Sequence, residues 1–150
     1  MLEVDLLSLQ HACACAKLHK MCFEQEWQEE DFQLLLSNIH VRGFGVWDAK
    51  ELVAVLLVQD AGVSADIITL MVHPAYLRRG LGRRLVTEFL EVFFKAGGES
   101  CFLEVSCENE VAILFYKTLS FIVCGLRKNY YNVSGRQIDA LILQALSSKN

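Results

Sequence analysis

The spacing of apolar residues changes several times along the chain, and each change predicts a new element. Residues Leu2 to Leu7 read as a short strand. Ser8 is placed to cap a helix running from Leu9 to about Cys22. A second short helix fits Gln28 to Leu36, with Trp27, Phe32, Leu35 and Leu36 as its apolar positions. The period then shortens. Val41 to Trp47, Leu52 to Gln59 and Ala65 to Val72 read as three strands. Asp48-Ala49-Lys50 and Asp60-Ala61-Gly62 are their turns, which predicts an antiparallel meander.

Val72-His73-Pro74 closes that meander. Helical spacing returns from Gly80 to Lys95, with Leu81, Leu85, Phe89 and Val92 on one face, and Gly97-Gly98 stops it. Cys101 to Val105 is a strand and Asn109 to Leu119 a helix. Two more strands, Phe121 to Asn129 and Ile138 to Ala145, are joined by a loop around Asn132 to Gly135. This order predicts an α/β or α+β domain, with a mixed sheet covered by helices. No repeat or Pro/Gly/Ser linker divides the 150 residues, so residues 1–150 are expected to form one domain. Such a chain buries roughly 70% of its unfolded surface and needs no disulfide or metal. Only Ser147 to Asn150 are expected to be disordered.

Composition narrows the class of function. Hydrophobic residues make up 53% and charged residues 21%, as in a globular protein. There is no basic leader with an apolar core, and no apolar run reaches the roughly 18 residues of a membrane span. Neither secretion nor membrane insertion is expected. Six cysteines are present, with no C-x-x-C pair and no His at zinc-finger spacing, so no metal site is expected. Free thiols fit a reducing cytoplasm, with the cysteines acting as small buried apolar residues. Cys13 and Cys15 would point to different faces of their helix. The four histidines form no cluster, so surface or capping roles are their default.

The net charge of −4 argues against direct nucleic-acid binding. It is unevenly spread: residues 1–75 hold 4 Lys/Arg and 11 Asp/Glu, whereas residues 76–150 hold 10 and 7. The basic half suits a phosphate-bearing ligand. Glu24, Glu26, Glu29, Glu30 and Asp31 either face a basic partner or form a solvated helix face.

Arg78-Arg79-Gly80-Leu81-Gly82-Arg83-Arg84 concentrates the candidate chemistry. Glycines allow close approach of backbone to ligand. The loop opens a helix, whose first amides lack internal partners and carry the positive end of the dipole. That combination binds anions, and arginines add charge-assisted hydrogen bonds. A plain tight turn and a solvated arginine face are the competing readings. The loop has neither G-K-[ST] nor the third glycine of G-x-G-x-x-G, since position 85 is Leu85. A coenzyme with a pyrophosphate and a flexible arm remains open.

The run V-H-P-A-Y-L-R-R-G-L-G-R-R-L at 72–85 resembles the acyl-CoA motif of the GNAT superfamily of N-acetyltransferases. L-E-V-S-C-E-N-E-V-A-I-L-F-Y-K-T-L-S-F at 103–121 resembles the second half of that fold. With R-K-N-Y-Y at 127–131 and D-A at 139–140, the chain is most similar to the bacterial ribosomal-protein-alanine N-acetyltransferases. The resemblance implies a mainly antiparallel sheet of about seven strands, a splayed central strand pair and about four helices. It implies acetyl-CoA as co-substrate, no metal, a protein N-terminus as acceptor, and a monomer or weak dimer.

By the same resemblance, backbone groups of Leu70, Met71 and Val72 would bind the pantetheine arm and acetyl carbonyl. Amides of Arg78, Arg79, Gly80, Leu81, Gly82 and Arg83 would hold the pyrophosphate, and Asn109 would hydrogen-bond the coenzyme. Glu104 would be the general base, and Tyr116 would protonate the departing thiolate. Trp27, Tyr130 and Tyr131 would line the acceptor groove. Three positions depart from the pattern: Leu77 stands where Gln or Arg is usual, Ser120 where Gly is usual, and Leu143 where Met is common.

Those residue types suit the reaction. A protein α-amine has a pKa of about 7.7–8.0 and must lose a proton to attack a thioester. A carboxylate in reach, directly or through one water, accepts it. The departing thiolate needs a proton, and a nearby tyrosine carries one. Each residue also has a plainer reading: Glu104 as a salt-bridged structural carboxylate, Tyr116 as core, and Tyr130-Tyr131 as a hairpin edge. A polyamine or other small amine as acceptor, and a coenzyme-binding module without turnover, are the alternative functions.

Overall fold

The computed structural model describes residues 2–24 and 27–148. Glu26 of the acidic cluster and Asn150 of the tail lie outside the described residues.

The strands are β1 (Val4–Leu7), β2 (Val41–Asp48), β3 (Glu51–Asp60), β4 (Ser64–Val72), β5 (Ser100–Ser106), β6 (Ile122–Val133) and β7 (Arg136–Leu146). The helices are α1 (Ala12–Cys22), α2 (Glu29–Ser37), α3 (Leu81–Lys95) and α4 (Glu110–Thr118). The strands form one sheet in the order β1-β2-β3-β4-β5-β7-β6. The pairings are antiparallel except β4 with β5, which run parallel. The expected mixed, mainly antiparallel sheet is present.

The sheet has apolar residues on both faces. On one, Val46, Leu56, Val58 and Ile67 meet Leu85, Phe89 and Phe93 of α3, with Tyr116 of α4 in the same cluster. On the other, Leu7, Leu57 and Met71 meet Cys15 and Leu18 of α1 and Phe32 of α2. The seven-residue burial alternation of β5 follows from strand geometry: Cys101, Leu103 and Val105 are buried, while Phe102, Glu104 and Ser106 face the other way.

Two irregularities shape the sheet. In β4, Leu57 pairs with Thr69 and Val58 with Ile67, so Ile68 is an extra residue. This bulge turns the end of β4. Beside it, β4 and β5 pair only through Ser64–Ser100, Ala65–Cys101 and Asp66–Phe102. Beyond Asp66 the strands part. β3 continues to pair with β4 and β7 with β5, which leaves a slit between them.

Several boundaries differ from expectation. The first strand starts at Val4. The helix expected from Leu9 begins as a 3-10 turn, Leu9–His11, and becomes α-helical at Ala12. The expected loop at Asn132 to Gly135 is a two-residue turn, Ser134-Gly135, with φ of 52° and 80°. Positive φ at both positions matches the twist of a tight hairpin, so the strands run on to Val133 and from Arg136. Ser147, expected to be loose, donates its N–H to the carbonyl of Glu99 at 2.9 Å. Cys15 and Cys101 are buried as expected, but Cys13, Cys107 and Cys124 are exposed. His19 breaks its default: it is buried and stacked on Trp27 at 4.9 Å. No described helix is long and apolar enough to cross a membrane.

Candidate active site

The arginine-glycine loop lies between the slit and α4. Gly80 caps α3 in the left-handed region at φ 77°. Arg78 is also left-handed, at φ 64°. Such turns direct successive amides to one side, a geometry that suits an anion. The first α3 hydrogen bond runs from Arg84 N–H to the Gly80 carbonyl at 2.9 Å, so the amides of Leu81, Gly82 and Arg83 precede the helical ladder. A Cβ built on Gly82 would lie 3.5 Å from Leu70, 3.5 Å from Phe115 and 3.6 Å from Val72. Gly82 therefore touches both the end of β4 and α4.

The arginine side chains divide their work. Arg84 bonds the Leu2 carbonyl and reaches Glu88 at 2.7 Å. Arg83 donates to the Thr118 hydroxyl at 2.7 Å, joining α3 to α4. Arg79 lies over the Tyr76 ring at 4.9 Å. Arg79, Arg83 and Arg84 thus each have a partner within the protein. Leu77 is exposed and apolar, so its side chain brings no polar contact. Asn109 caps α4, its side-chain oxygen accepting from Ala112 N–H at 3.1 Å. On β4, the Val72 carbonyl already accepts from the Cys22 thiol at 3.4 Å.

Glu104 and Tyr116 stand on opposite faces of the sheet. Tyr116 belongs to the α3–α4 core, with ring contacts to Phe115 at 5.0 Å and Phe121 at 5.4 Å. Burial, and secondarily Cys101, pushes its phenol well above the ordinary tyrosine value, so it holds its proton. The Cys101 thiol is itself pushed up to about 12 by burial. A Schellman motif fixes Tyr116: its carbonyl accepts from Phe121 N–H at 3.1 Å while Ser120 N–H bonds Lys117 at 3.1 Å.

Glu104 stands on the other face in a polar cluster. Arg127 of β6 meets both its oxygens, at 2.9 and 3.2 Å. The Arg127 guanidinium lies 4.3 Å from the Tyr130 ring, which meets Tyr131 at 4.9 Å. Burial raises the Tyr131 phenol, with Tyr130 and Glu104 adding to the shift. Burial likewise raises the Asp66 carboxyl, and the charge of Glu104 adds to it. The structure thus brings Glu104, Tyr130 and Tyr131 together and adds Arg127 and Asp66. It does not bring Trp27 among them: Trp27 packs on His19 and on Phe32 at 5.5 Å, anchoring the α1–α2 connection.

A second bulge aims the tyrosines. Arg127 pairs with Ala140 and Tyr131 with Ile138, so three β6 residues stand against Asp139 alone. Asp139 holds this bulge by accepting from Asn129 N–H at 2.9 Å, with Asn129 at φ 55°. Arg127 and Asp139 were visible in the sequence only inside R-K-N-Y-Y and D-A. The bulge breaks the alternation that would have shown which side chains share a face.

Relatives agree with this architecture. Residues 13–121 match the Acetyltransferase (GNAT) family. The chain is a member of that family. It is 33% identical over 138 residues to the N-alpha-acetyltransferase RimI of Mycobacterium tuberculosis, covering 88% of this chain and 85% of that one. It is 35% identical over 136 residues to an uncharacterized Mycobacterium leprae protein, covering 87% of this chain but spanning 36% of that protein's length. The crystal structure of the Escherichia coli ribosomal-protein-S18-alanine N-acetyltransferase superposes with a TM-score of 0.92 at 25% identity, covering 100% and 96% of the two chains. Among the described residues of this GNAT protein, no group of three or more His, Cys, Asp or Glu is placed to hold a metal.

Proposed function

We propose that this chain transfers the acetyl group of acetyl-CoA to the α-amine of a protein N-terminus, with a ribosomal-protein alanine as acceptor. The carrying observation is the slit that opens beyond Asp66–Phe102. In this reading the α3 amides would close its end, with the Glu104 carboxylate on one face of the sheet and the Tyr116 phenol on the other. The substrates of the RimI relatives support the acceptor. The six free thiols fit a cytoplasmic setting.

In this reading the loop amides and the positive end of α3 hold the coenzyme pyrophosphate. Main-chain groups at the end of β4, across Leu70, Met71 and Val72, align the pantetheine arm, and a strand amide polarises the thioester carbonyl. Glu104 takes a proton from the amine, directly or through one water. The amine nitrogen bonds to the thioester carbon and the carbon–sulfur bond breaks. Tyr116 gives its proton to the sulfur. No covalent enzyme intermediate is needed, and exposed Cys107 has no His partner among its hydrogen bonds.

Free-thiol release tests this. Purified protein with acetyl-CoA and an alanine-initiated ribosomal-protein peptide should release coenzyme A and gain acetyl mass on the α-amine. Transfer to spermidine and to no peptide would overturn the acceptor. Tight coenzyme binding with no transfer to any amine would overturn the activity.

A further inference from the structure

We propose that Arg127 is a positioning residue for Glu104 and that its charge sets the acceptor's charge class, admitting a single ammonium and disfavouring polyamines. The proposal rests on the reading of Glu104 as the base.

Three contacts immobilise the pair. One Arg127 nitrogen spans both carboxylate oxygens, at 2.9 and 3.2 Å. The guanidinium is stacked on Tyr130 at 4.3 Å. Tyr130 is braced by Tyr131, and the whole turn is locked by Asp139. Of the pair, Arg127 is the more exposed, at 54% against 32% for Glu104. It forms the outer wall of the cluster rather than its floor. A carboxylate tethered this way keeps one rotamer, which a proton acceptor at a fixed attack geometry requires.

The charges nearby nearly cancel because of Arg127. Asp66 and Glu104 lie on one face of β4 and β5, close enough for Glu104 to raise the Asp66 carboxyl. Arg136 pairs with Glu108 at 3.2 Å, and Lys128 and Asp139 carry opposite charges in the same hairpin. With Arg127 present, the cluster has one net negative charge and suits one ammonium. Without it, two carboxylates share the face with no countercharge, an environment that suits a second cationic amine. The sequence motif does not foretell this selectivity, which needs the bulge to carry Arg127 onto Glu104.

The test compares wild type, Glu104→Gln, Arg127→Met, Arg127→Gln and Arg127→Lys on an alanine-initiated peptide and on spermidine. Acetyl-CoA is saturating, and coenzyme affinity and melting temperature are measured alongside. For Arg127→Met and Arg127→Gln, peptide kcat should fall with unchanged coenzyme affinity. The kcat/KM ratio of spermidine to peptide should rise about tenfold, equal to about 1.4 kcal/mol. Arg127→Lys should restore the ratio, because the charge returns, but not full kcat, because the stacked planar group does not. An unchanged ratio and kcat in both neutral variants, with Glu104→Gln impaired, would overturn the proposal and leave the base intact. An active Glu104→Gln would instead overturn the base. Equal losses on both acceptors that track melting temperature would show Arg127 to be structural only, also overturning it.

Discussion

Ser120→Gly should stabilise the protein without altering catalysis. Ser120 sits at the left-handed position of the Schellman motif that ends α4, with φ 70°. A side chain there costs roughly 1–2 kcal/mol, because Cβ crowds the neighbouring carbonyl. Glycine removes that cost but adds about 0.4–1 kcal/mol of unfolded-chain entropy. The net gain is about 0.5–1 kcal/mol, or about 1–4 °C in melting temperature for a domain of this size. The motif's hydrogen bonds come from main chain, and the Tyr116–Phe121 contact at 5.4 Å involves neither Ser120 nor its replacement. Urea denaturation should show a higher midpoint at an unchanged m-value. Peptide kcat should stay at the wild-type level, since Ser120 is exposed and touches none of the site groups. Ser120→Ala keeps the Cβ and should bring no comparable gain. A lower midpoint for glycine, or an equal gain for alanine, would refute the strain assignment.

Three further perturbations probe the site itself. Glu104→Gln should lower turnover by about a hundredfold, most of all below the amine's pKa of about 8, with coenzyme affinity unchanged; a flat deficit across pH or lost coenzyme binding in isothermal titration would contradict a base. Gly82→Asp places a side chain in ordinary contact with Leu70 and Phe115, so the fold should persist, yet its charge at the α3 amides should weaken coenzyme binding by at least about tenfold. Gly82→Ala serves as the steric control, and equal affinity for Asp and Ala would remove the loop from the coenzyme site. Asp66→Asn should raise stability at pH 7. The Asp66 carboxyl is raised by burial and by Glu104, so its protonated form favours folding below the unfolded value of about 3.9, and that benefit is lost as pH rises through the folded value. The gain from Asn should therefore shrink toward pH 4, and urea midpoints showing a larger gain there would reverse the sign.

The meander, the loop-to-helix switch and the later helix all left strong periodic signals. Leu81, Leu85, Phe89 and Val92 predicted the apolar face of α3; the first three are buried, and Val92 is exposed instead. The splayed β4–β5 pair was expected only through family resemblance, because the largely apolar run Ile67 to Val72 reads like any buried strand. Trp27 followed by acids reads equally well as groove or anchor, and its contacts with His19 and Phe32 are those of an anchor. The arginine cluster looked like a uniform positive surface, yet Arg83 and Arg84 hold Thr118, Leu2 and Glu88. Glu88 stands at the i,i+4 spacing of a helix pair, but Thr118 and Leu2 are too distant in sequence to leave a local pattern. Tyr130 and Tyr131 were placed beside a loop because Ser134-Gly135 and the neighbouring Asn132 mimic a longer turn.

The parted strands have a consequence for inheritance. An opening made by withdrawing one strand's hydrogen-bond partner is lined by peptide groups, which every amino acid supplies alike. Substitution can redecorate its rim while the recognising atoms stay put. What drift can rewrite is the β6–β7 hairpin, which in the proposed function would face the acceptor and discriminate through side chains such as Arg127 and Tyr130. The architecture separates a durable half, written in backbone, from an editable half, written in side chains.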